Sequence, residues 1–198
     1  MLKSIVDNIL NPGYFSEKDL ALLGFKKIGK NIKIARDAIV VGFKNIELGS
    51  NIQIDSNVTL AVSQGYLTIG NYIHIGGGSH LSCSGGVRIS DFVTISQGVR
   101  IYSASDDYSG EFMTNPTVPP SLTNVIRGEV TLESHVLLGS GSVVLPGVSV
   151  MEGTAVGALS LIRENTESFS IYAGVPAKKV SNRSRKILSL AETLTKSI

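Results

Sequence analysis

The chain has 198 residues, enough for one domain with a sizeable core. Hydrophobic residues make up 42% and charged residues 17%, a balance that excludes intrinsic disorder. A net charge of +2 supplies no basic stripe for nucleic acid, and the one cysteine, Cys83, excludes an intrachain disulfide framework and fits a reducing compartment.

Residues 1–10 carry a single lysine and a short, interrupted apolar run. We therefore expect neither a signal peptide nor a membrane span there, and a cytoplasmic protein. Ser16-Glu17-Lys18-Asp19 before Leu20, Leu22 and Leu23 predicts a short capped helix, within an N-terminal cap segment spanning residues 1–27. From Ile28 onward aliphatic residues recur at every sixth position: Ile28, Ile34, Val40, then Leu48, Ile54, Leu60, then Ile69, Ile75, Leu81, then Ile89, Ile95, Ile101. After a gap the period resumes without offsets at Leu132, Leu138, Val144, Val150, Val156 and Ile162. Four positions after each of these stands a small or β-branched residue: Val136, Ser142, Val148, Thr154, Ser160 and Thr166.

A period of six fits neither a helix at 3.6 nor a simple alternating strand. It fits short strands joined by tight corners, each strand sending one aliphatic side chain inward. Glycines after the aliphatic position, as in Leu48-Gly49, Ile69-Gly70, Leu138-Gly139 and Val156-Gly157, suit corners with positive φ or close backbone approach. The fold class is all-β, a parallel β-helix over residues 28–180. Residues 103–127 lack the period and contain Pro116, Pro119 and Pro120, which predicts a long excursion. Residues 181–198 predict a C-terminal helix with Ile187, Leu190, Ala191 and Leu194 on one face, capping the solenoid or packing on a neighbouring chain.

The hexads, with the ending IYAGVPAKKV at 171–180, closely resemble the hexapeptide-repeat acyltransferases. That resemblance implies a left-handed coil, a homotrimer, and acetyl-CoA bound between neighbouring subunits, with no metal and no membrane partner. YSASDDYSGEFMTNPTVP at 102–119 is similar to the subgroup that N-acylates nucleotide-linked amino sugars, notably dTDP-4-amino-4,6-dideoxyglucose, for O-antigen and other lipopolysaccharide precursors. The same resemblance points to Asp106 as the residue contacting the amine and to Ser96 as a polar group beside acceptor and thioester. It implies acceptor contacts at His74, Asp107, Tyr108 and Asn115. It places coenzyme A along Gly139, Ser140, Gly157 and Ala158, with phosphates near Lys178 and Lys179.

The chemistry fits the residues. An alcohol attacking a thioester needs a base such as imidazole, and sugar O-acetyltransferases typically place a His in the excursion; residues 102–127 contain none. A neutral amine brings its own lone pair and needs orientation, for which a carboxylate is a good acceptor and counter-charge. Repulsion between Asp106 and Asp107 would raise one pKa; the plain reading of the pair is a solvated Asx turn. The small residues eighteen apart, Gly139-Ser140 and Gly157-Ala158, form a ladder for an extended pantetheine arm, with the Gly139 N–H as an oxyanion donor. His74 precedes inward Ile75 and so points out; His135 reads as a surface or interface residue and His80 has the least to single it out. A His-based O-acetyltransferase and a non-enzymatic scaffold remain open at this point. A zinc hydratase on this fold is disfavoured, since His74 and His80 fall on different faces.

Overall fold

The computed structural model describes residues 13–196, so the expectation for residues 1–10 lies outside the described residues. Strands of two or three residues wind into a left-handed parallel β-helix whose walls are three parallel sheets. The first face stacks Ile32–Ile34, Ile52–Ile54, Ile73–Ile75, Thr94–Ile95, Leu137–Leu138, Ala155–Val156 and Ser170–Gly174, and ends in the antiparallel strand Ala177–Asn182. The second face runs from Ile39–Val41 to Leu161–Ile162 and the third from Ile46–Leu48 to Ser149–Val150.

The period of six works because each hexad supplies two inward positions. Ile54, Leu60, Ile75, Leu81, Ile95, Ile101, Leu132, Leu138, Val144 and Val150 are all fully buried. The residues four beyond, from Val136 and Ser142 to Ser160 and Thr166, are buried at the corners. Register keeps like over like, as in Ile54↔Ile75 and Ile95↔Leu138, so the aliphatic column is continuous. Each such side chain contributes about 1.5–3 kcal/mol by leaving water.

Two kinds of corner residue emerge. The glycines after the aliphatic position are there for closeness: a Cβ on Gly49 would collide with the carbonyl of Gly70 in the next coil. Left-handed φ falls on another column, and three of its members are aromatic rings: Tyr72, Phe92 and His135, with φ of 58°, 61° and 63°. Their rings stack, Tyr72 on Phe92 at 5.0 Å and Phe92 on His135 at 4.9 Å, which offsets the backbone strain.

Both ends are closed. At the N-terminal end, helix α1 (Glu17–Leu22) carries the predicted capping box of Ser16 and Asp19, and inserts Leu20 into the end of the core. Asp19 also holds Arg36 of the first coil at 3.2 Å. At the other end the hairpin of Ser170–Gly174 and Ala177–Asn182 covers the last coil, with Phe169 buried beneath the Arg185 guanidinium at 4.1 Å. Helix α2 (Lys186–Lys196) follows the hairpin and leaves Leu190 and Leu194 exposed, so the hairpin, and not the helix, closes the solenoid.

The excursion leaves between the second and third faces. Its root is a short antiparallel ladder, Ala104–Ser105 with Ile126–Arg127. Ser103, fully buried, ties this root to the neighbouring coil through Gly85 N–H and the Ser82 carbonyl. No helix among the described residues is long and apolar enough to cross a membrane.

Candidate active site

Asp106 lines an open cavity of about 420 Å³ between the excursion and the outer surface of the second face. Tyr102, Val143 and Leu145 form its floor, and Tyr108 and Val125 its excursion wall. The Asp106 carboxylate is exposed and accepts no hydrogen bond among the described residues. Tyr108 is 93% exposed at the rim.

Asp107 is differently employed. One oxygen takes the backbone N–H of Ser109 at 2.8 Å and the Ser109 hydroxyl; the other takes Asn124 Nδ2 at 3.0 Å, clasping the two limbs of the excursion. These bonds hold its carboxyl below the usual aspartate range, first through the Ser109 hydroxyl. The mutual repulsion expected to raise one of the pair therefore does not govern Asp107. Asn115 is likewise turned inward on its own loop: its Oδ1 accepts the N–H of Thr117 at 2.8 Å and the Thr117 hydroxyl at 2.6 Å, and it does not line the cavity.

Ser96 lies elsewhere, at the edge between the first and second faces. Register places Asp55, Gly76, Ser96, Gly139 and Gly157 in one column there, each following an inward residue of the first face. The Ser96 and Gly139 amides donate to the coils below, at 2.9 Å to the Leu138 carbonyl and 2.8 Å to the Val156 carbonyl. Gly139 N–H is thus consumed by the coil and is not an oxyanion donor. The amides of the next column, Ser140 and Ala158, donate to nothing among the described residues, and both residues are exposed. Both glycines are held by close packing: a Cβ on Gly139 would lie 2.5 Å from Ala158 N. The column ends at Ala173, which pairs across the hairpin with Lys178.

Lys178 and Lys179 line a second cavity of about 200 Å³ with Arg163 and Asn165. Lys179 is paired with Glu167 at 2.7 Å, and Lys178 has no ion-pair partner among the described residues. Arg163 was invisible to sequence reasoning because the period ends at Ile162. Tyr102, Val143 and Leu145 were legible in principle, as the outward neighbours of buried Ile101 and Val144.

The three histidines separate. His74 points out of the first face with Nε2 2.8 Å from Asp55 Oδ2. His80 lies on the second face, its ring centroid 6.0 Å from that of Tyr102; burial, then Arg100, lowers its pKa. His135 sits in the aromatic stack at the opposite edge from Ser96. No group of His, Cys, Asp or Glu that could hold a metal ion occurs among the described residues.

No family model matches the chain. A curated relative from Escherichia coli, dTDP-4-amino-4,6-dideoxy-D-glucose acyltransferase, is 42% identical over 177 residues, 89% of this chain and 92% of that protein. A structure of AntD, an N-acyltransferase from Bacillus cereus, in complex with dTDP and coenzyme A superposes with a TM-score of 0.90 at 36% identity, covering 94% of this chain and 100% of that one. A hexapeptide-repeat acetyltransferase from Vibrio cholerae with acetyl coenzyme A, at 16% identity and a TM-score of 0.57, shares the fold. The chain belongs to the hexapeptide-repeat acyltransferases, in the dTDP-4-amino-4,6-dideoxyglucose acyltransferase family.

Proposed function

We propose that this protein moves an acyl group, acetyl in the simplest case, from acyl-coenzyme A to the amine of a dTDP-linked amino-deoxy sugar, in the cytoplasm, for surface polysaccharide synthesis. The observation that carries this reading is the unpartnered Asp106 carboxylate in a cavity large enough for a sugar, on a chain whose excursion has no histidine. The likeness to AntD supports it, since AntD has been solved with dTDP-4-amino-4,6-dideoxyglucose and with 3-hydroxybutyryl-CoA. AntD has also been solved in forms substituted at a serine and at an aspartate ten positions apart, and Ser96 and Asp106 have the same separation.

The acyl donor lies along Ser96, Gly139 and Gly157 toward Lys178, with the amides of Ser140 and Ala158 donating to its arm and Lys178 meeting a phosphate as a point charge. Asp106 accepts an N–H of the amine and aims the lone pair at the thioester carbon. The C–N bond forms, negative charge gathers on the carbonyl oxygen beside Ser96, and Asp106 stabilises the developing ammonium. Collapse breaks the C–S bond, and the amine's proton balances the departing thiolate as coenzyme A thiol.

Ser96 and Asp106 stand at opposite margins of the second face and line no common cavity. A homotrimer brings one chain's Asp106 to the next chain's Ser96, and exposed Tyr108, Phe112 and Met113 on the excursion suit a cover over a neighbour. His74 contacts the acceptor in this arrangement, while Asp107 and Asn115 shape the excursion that holds it. The test follows thiol release with a panel of nucleotide-linked amino sugars. Asp106→Asn should lose most activity, by roughly 100-fold or more, and His135→Ala should retain it. The reverse pattern defeats the amine-orienting account and favours a His-based O-acetyltransferase.

A further inference from the structure

Outside the two cavities, one side-chain cluster is organised beyond what the coil requires. Asp55 Oδ2 lies 2.8 Å from His74 Nε2, and Asp55 Oδ1 accepts Gln53 Nε2 at 2.9 Å. Gln53 and His74 are register partners in adjacent coils, so the cluster is built across the outer surface of the first face. Asp55 is three-quarters buried, its side chain 24% exposed, and both its oxygens are committed.

An ionised carboxylate only accepts hydrogen bonds, so the ring nitrogen that faces it carries the proton. In the neutral ring this leaves His74 Nδ1 as an acceptor, with no partner among the described residues. His74 pairs on its other side with Thr94, two residues before Ser96. Between Asp55 and Ser96 the column holds Gly76, followed by Gly77 and Gly78, so the column itself places no side chain between Asp55 and Ser96.

The geometry points to Asp55 as a positioning residue that fixes the ring and tautomer of His74, presenting Nδ1 as an acceptor for an O–H or N–H of the acceptor substrate. This rests on the acyltransferase reading above for its substrate, but its structural half stands without it. Gln53 steadies the second carboxylate oxygen and keeps Asp55 from swinging away.

The test combines kinetics with ring-nitrogen chemical shifts of ¹⁵N-histidine-labelled full-length protein. The chain has 3 histidines, so His80→Gln and His135→Gln assign the spectrum. We expect wild-type His74 to be the Nε2–H tautomer and Asp55→Ala to give a mixture. Asp55→Ala should raise the KM of the amino-sugar nucleotide about tenfold, the worth of one charge-assisted hydrogen bond. It should leave the KM for acyl-coenzyme A in place and add nothing in a His74→Ala background. Asp55→Leu, of similar volume and with no acceptor oxygen, carries the same measurements if Asp55→Ala does not fold. An unchanged tautomer, or an Asp55 effect that persists without His74, overturns the inference. A wild-type protein that acylates no nucleotide-linked amino sugar defeats the functional reading instead, and the tautomer result then decides the positioning role alone.

Discussion

Asp106 and Asp107 share a motif, an excursion and a charge, yet one carboxylate is free in a cavity and its neighbour holds three hydrogen bonds. The difference is one of direction: successive side chains on an extended segment point opposite ways, so one faces the solenoid and the other faces back into its own loop. The folded Asp107 carboxyl titrates below its ordinary value of 3.8, so its clasp contributes at any pH above that value and is lost as the pH falls through the lower folded value. Pepsin should therefore cut the excursion near Phe112 and Leu122 only below about pH 3.8, and Asp107→Asn should be cut as readily at about pH 4.5. Equal cleavage of both proteins at the higher pH would show that the clasp does not hold the loop.

At the scale of elements, the solenoid walls were legible because a period sets which side chains face inward, and burial follows it from Leu48 to Ile162. The capped helix at Ser16 was legible for a similar reason, since its signature is local. The closing hairpin was not. IYAGVPAKKV marked the end of the coil by resemblance, but the antiparallel turn-back depends on tertiary partners, above all Arg183. Its Nη1 donates to the carbonyls of His135 at 2.8 Å and Gly153 at 3.0 Å, reaching back across two coils from just beyond the last strand. Burial lowers the guanidinium's pKa. Arg183→Met should cost about 1–3 kcal/mol in denaturant unfolding and speed amide exchange across Ala177–Asn182; because Lys178 lies on that strand, the affinity for coenzyme A should fall with it. Full affinity with a loosened hairpin would remove Lys178 from the phosphate site.

For the whole molecule, the chain's own geometry separates what the motif joined: Ser96 and Asp106, ten residues apart, occupy different margins of a face. Spacing along a coil cannot reveal this, because a whole face of the prism lies between them. Light scattering should give a mass of three chains. If each site draws Ser96 from one chain and Asp106 from the next, mixed trimers of Ser96→Ala and Asp106→Asn chains should recover about a quarter of wild-type activity by random assortment. Recovery of none after co-expression would place both groups of each site in one chain.

The excursion's root has an evolutionary implication. Thr94 and Ile95 pair directly with Leu137 and Leu138, so the coils close over the departure point as if nothing had been inserted. The loop is therefore built as a cassette: it is anchored at Ser103 and the Ala104–Ser105 ladder, and a change in its contents leaves the register of the coils intact. If the excursion carries the acceptor site proposed above, new acceptor preferences on this scaffold can arise by replacing one segment, without renegotiating the fold.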